Sequence, residues 1–136
     1  MTVDEALAFL AAHQPMPSDH DVSTDECTVC CDVLRLFTAN PDGRCIPLLI
    51  NSITADTGLG MYEAISAVLM SHPSEQVIPH LRTGLLSGNT AIIYRCCWWA
   101  CDVRASGLSD VVRPLLHHED DDIRDAAESF FEICGA

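Results

Sequence analysis

The chain has 136 residues, of which 49% are hydrophobic, and it sets 20 acidic residues against 7 basic ones for a net charge of −13. That apolar content is too high for a disordered chain, and the length is enough for one continuous core. The acidity excludes the basic surfaces that nucleic-acid backbones and anionic membranes require, and it suits a basic protein partner through charge complementarity.

In chain order, Thr2-Val3-Asp4-Glu5 reads as a capping box, with Val3, Leu7 and Leu10 on one apolar face. The helix it opens should end near His13, before Gln14-Pro15-Met16-Pro17. This start has no basic leader region and no long apolar run, so the sequence predicts a cytoplasmic protein without a membrane span. Ser23-Thr24-Asp25-Glu26 is a second capping signature, for a helix to about Thr38 with Val29, Val33, Leu34 and Phe37 inward. Asn40-Pro41-Asp42-Gly43 is a turn. Further helices are expected near 44–54, 60–71, 75–87, 90–103, 108–117 and 121–134, with residues 54–60 the longest break inside a pair. Nothing alternates as a strand does, so the fold class is all-α with about eight helices.

Three of these pairs repeat one another. Ile78-Pro79-His80-Leu81, with Pro79 placed in the first turn of its helix, follows Ile46-Pro47-Leu48-Leu49 by 32 residues, and Arg113-Pro114-Leu115-Leu116 comes 35 residues later. With the prolines in register, the second helices pair Tyr62 with Arg95 and Arg124, and Ala64 with Cys97 and Ala126. A repeat of roughly 30–40 residues is the signature of stacked helical pairs. The motifs Tyr94-Arg95-Cys96-Cys97 and Asp122-Ile123-Arg124-Asp125-Ala126-Ala127, together with the proline-led first helices, resemble the HEAT and armadillo repeat families over residues 44–134. The resemblance implies an α-solenoid of antiparallel helix pairs in a single domain, 1–136: a degenerate capping pair at 1–43 and repeats at 44–73, 74–105 and 106–136.

The chemistry-bearing residues do not converge in sequence. Cys27, Cys30 and Cys31 fall at i, i+3 and i+4 of one helix, and Cys97 and Cys101 repeat the spacing; in a reducing compartment this is a small apolar stripe rather than half a zinc site. His117-His118-Glu119 leads into Asp120-Asp121-Asp122, which suits the end of one helix dipole and the start of the next. HEAT-like deoxyhypusine hydroxylases bind iron through His-Glu pairs in several repeats, whereas only His118-Glu119 forms such a pair here. HEAT-like DNA glycosylases need a basic concave face. No catalytic residue, metal site or cofactor is therefore expected.

What remains is a surface. In the repeat register, Trp98 falls at a core position, and Tyr62, Arg95 and Trp99 fall on the outer face of the second helices, flanked by Glu63, Arg124, Asp125 and Glu128. Aromatics and arginine anchor interfaces. The pattern IPLLINSITADTGLGMYEAISAVL with IPHLRTGLLSGNTAIIYRCCWWA is similar to small bacterial HEAT-type immunity proteins. That resemblance implies a non-enzymatic module that binds and neutralises a cognate toxin through these residues. The competing expectations are a scaffold or adaptor without inhibitory action, and a HEAT-type bilin lyase or metal-dependent hydroxylase.

Overall fold

The computed structural model describes residues 1–54, 56 and 58–135; Ala55 and Thr57, inside the break expected at 54–60, lie outside the described residues. Every regular element among those described is helical, and the α-helices number eight. No helix among them is long and apolar enough to cross a membrane. The chain divides into two compact units, Met1–His72 and Pro73–Ala136.

The first unit holds α1 (Val3–Ala11), α2 (Thr24–Ala39), α3 (Cys45–Ile50) and α4 (Met61–Met70). Both expected capping boxes form. Thr2 and Ser23 accept from the amides of Glu5 and Glu26, whose carboxylates in turn accept from the amides of Thr2 and Ser23. These bonds satisfy backbone N–H groups that the first turn of a helix leaves unpaired. α1 packs on α2 and α3, and α2 packs on α4. Val33, Leu34 and Phe37 are buried as expected, with Ala6, Leu10, Ile46, Leu49, Ile65 and Leu69 in the same core class. α3 stops at Ile50, short of the expected residue 54; the Ser52 hydroxyl and amide both turn back to Leu49 O.

The second unit holds α5 (Ser74–Leu85), α6 (Thr90–Asp102), α7 (Ser109–Val112) and α8 (Asp121–Cys134). α5 begins early enough that Pro79 lies inside it, not in its first turn. Pro79 is tolerated there on an exposed face. The helix expected at 108–117 is α7 followed by a 3₁₀ segment, Arg113–His117, as Pro114 cannot donate to an α-helical bond. α6 packs on both α5 and α8, and α8 also packs on the 3₁₀ segment. Asp120 caps α8 through bonds to the amides of Asp122 and Ile123.

Candidate docking surfaces

The positions expected to form one outward face are divided between core and surface. Tyr62 is buried, its hydroxyl accepting from the Thr54 amide at 2.7 Å and lying 3.1 Å from the Thr54 hydroxyl. Trp99 is 3% exposed, whereas Trp98 is half-buried and meets Tyr94 edge to face. The expected environments of the two tryptophans are thus exchanged. Burial aligns Ile93 with Ile123, and Cys96, Cys97 and Ala100 with Ala126, Ala127 and Phe130. Trp98, not Trp99, is therefore the counterpart of Glu128. The proline register was one residue out in α6, and one residue turns a helix by about 100°. Packing on two sides, against α5 and α8, widens the buried arc of α6 enough to take in Trp99 as well.

The other expected surface residues are accessible. Glu63, Asp125 and Glu128 are exposed, and Arg95 and Arg124 are half-buried. The Arg95 guanidinium lies 5.5 Å from the Tyr94 ring centre. Arg124 pairs with Asp121 and donates to the His118 carbonyl. Glu128 borders a shallow hollow of about 480 Å³ with Arg113, Leu116, Phe131 and Glu132, where Arg113 stacks 5.0 Å over Phe131.

His118 and the acids after it are used locally. The His118 ring Nδ1 accepts from the Asp120 amide at 3.0 Å, and Asp120 is the cap of α8. Among the described residues no three His, Cys, Asp or Glu side chains gather in a geometry that could hold a metal ion. Cys30, Cys45, Cys96, Cys97 and Cys101 are buried, and Cys27, Cys31 and Cys134 are half-buried. Burial pushes the Cys30 and Cys101 thiols up to about 11 and those of Cys45 and Cys97 to about 12, and it also raises Cys96. Such groups are thiols rather than thiolates near neutral pH and lack nucleophilic character.

A larger feature lies in the first unit, between α2 and α4. It is a mostly apolar groove of about 510 Å³. The α2 wall is Cys31, Leu34, Arg35, Thr38 and Ala39, at i, i+3, i+4, i+7 and i+8, which is one stripe over two turns. The other wall is Leu59, Gly60, Met61, Ala64 and Ala67. Leu59 is 58% exposed and has φ 51°, between Gly58 at 71° and Gly60 at 85°. The left-handed region costs a side chain with a Cβ about 1–2 kcal/mol, and here it holds a large apolar side chain in solvent at the groove's rim. Gly58 is required: a Cβ there would stand 2.7 Å from the Tyr62 ring.

Sequence reasoning missed this groove. The available signal was α4 itself, whose only charged residue is Glu63, so that Ala64, Ala67 and Met70 leave its outer face apolar. A helix that is apolar all round is normally covered on every side. No protein family, characterised protein or solved structure matches the chain in comparisons of sequence and fold.

Proposed function

We propose that this chain is a non-catalytic protein-binding module, built as a HEAT-like stack of antiparallel helix pairs, that binds and neutralises a cognate bacterial toxin from the cytoplasm. The observation that carries the binding reading is the groove between α2 and α4, an uncovered apolar surface on a chain of net charge −13. A groove lined by apolar side chains between two helices is a common seat for the side chains of a partner helix. The stacked reading draws support from packing within each unit, where one helix packs on two others: α1 on α2 and α3, and α6 on α5 and α8. The non-catalytic reading draws support from the cysteines, whose buried thiols are held protonated. Glu63 on the exposed face of α4, with Arg95, Arg124, Asp125 and Glu128 elsewhere, remain candidate contacts; Tyr62 and Trp99 lie in the core.

The test is co-expression with the products of adjacent genes. The expected result is that one of them arrests growth alone and that this chain restores growth by forming a stable complex with it. Rescue without a complex, or a toxic neighbour that the chain neither binds nor silences, would count against the proposal.

A further inference from the structure

We propose that the groove between α2 and α4 receives a single amphipathic, cationic helix of the partner, its apolar face in the trough and its lysines or arginines against the acidic flanks. This rests on the reading of the chain as a protein-binding module and specifies what that module grips. The stripe from Cys31 to Ala39 spans about 12 Å at 1.5 Å per residue. That length matches about two turns of an incoming helix, with anchors at i, i+3 or i+4, and i+7. Opposite it, Gly60, Ala64 and Ala67 carry no more than a methyl group each, so the trough has room for the anchors of another helix. Arg35, Thr38, Ala39, Ala64 and Ala67 are all exposed, so the trough is open to solvent along both walls. An open trough suits a helix laid along it better than a small molecule, which needs enclosure on most sides.

Charge selects the occupant. The first 72 residues contain ten acidic residues and only two basic ones, Arg35 and Arg44. Arg44 is held by Asp42 through two bonds, at 2.7 and 3.1 Å. Arg35 pairs with Asp32 at 3.3 Å. Asp32 pairs with Arg35 of the α2 wall, and Glu63 is an exposed acid on α4, which carries no basic residue. A second copy of this chain would bring another −13 charge to the same face, and an acidic helix would meet the same repulsion. Arg35 opposes a cationic ligand and occupies Asp32, so its removal should strengthen binding.

The probe is a labelled peptide of about 14 residues, four turns, with leucines along one face and lysines elsewhere, titrated by fluorescence anisotropy. Its controls are a scrambled isomer and a peptide with glutamate in place of lysine. Expected results are preference for the amphipathic lysine peptide and weakening by about tenfold or more for Ala64→Trp, which fills the trough. Arg35→Ala should tighten binding by about threefold. Leu59→Gly is the second variant, since glycine adopts the left-handed backbone freely; it should weaken binding without lowering the melting temperature. Equal binding of the scrambled peptide, preference for the glutamate peptide, no effect of both Ala64→Trp and Leu59→Gly, or dimerisation through the groove by sedimentation would each overturn the inference. If toxin rescue persists in Ala64→Trp, this inference falls and the immunity reading stands. If the peptide binds as described but no neighbouring gene product is neutralised, the outcome is the reverse.

Discussion

Two tryptophans at consecutive helical positions cannot share one environment, because successive residues point about 100° apart. In α6 the second of them takes the core: Trp99 is 3% exposed, and Trp98 is half-buried against Tyr94. Trp99→Ala should therefore cost about 3–5 kcal/mol, the range for truncating a buried aromatic. Trp98→Ala should cost about 1–2 kcal/mol, as a partly exposed contact does. Urea unfolding of both variants checks the order, and the opposite order would show that the packing of α6 is misdescribed. Periodicity alone could not assign these two residues. The register rests on prolines in the preceding helices, and the connections between the paired helices differ in length, so the pattern tolerates a slip of one residue. Tyr62 was lost for a different reason. The register sets it beside Arg95 and Arg124 on the outer face, but the Thr54 amide supplies its hydroxyl with a partner inside the fold that no local pattern announces. Leu59 was invisible for a third reason: its exposure follows from a left-handed backbone between two glycines.

At the scale of elements the sequence is far more explicit, because caps are local chemistry. Ser23 and Glu26 meet through the backbone of one turn, whatever the rest of the chain does, and α2 begins at Thr24 as its capping signature requires. The segment after α7 is harder to read, since the apolar spacing around Leu115 suits an α-helix as well as a 3₁₀ turn of five residues. Ser23→Ala should cost about 1 kcal/mol. The cap also makes a pH prediction. The Ser23 amide, then His13 and the Ser23 hydroxyl, hold Glu26 below its ordinary value of 4.5. Glu5 is lowered in the same way by Thr2, and Asp42 is brought down to about 2 by Arg44. A carboxyl depressed on folding adds stability above its unfolded value, and that stability is lost as pH falls through the folded value. Melting temperature should therefore drop as pH falls from about 4.5 toward 2. The gap between the native chain and Glu26→Gln should close over the upper part of that range. A gap that stays constant with pH would show that Glu26 stabilises α2 only through its shape.

For the whole molecule, the question is whether its charges help or hinder folding. The arginine–carboxylate pairs Arg35–Asp32, Arg44–Asp42, Arg82–Asp110 and Arg124–Asp121 all lie at the surface, where each contributes about 0–1 kcal/mol. Against them stand 20 acids and only 7 arginines, so the surface carries a large negative charge that the arginines do not balance. Repulsion spread over a surface is long-ranged and is screened first, since the screening length is about 30 Å at 0.01 M salt and about 8 Å at 0.15 M. The free chain should therefore become more stable with salt. A gain of about 1 kcal/mol corresponds to a rise of about 3–5 °C in melting temperature for a chain of this length. A fall in melting temperature between those two salt concentrations would mean that the ion pairs outweigh the repulsion. Binding should respond in the opposite sense. The same negative field that strains the free chain draws in a cationic partner, so salt that raises the melting temperature should slow association. A field that acted only to keep the chain soluble would produce the first effect without the second, and stopped-flow association measured beside thermal melts separates the two.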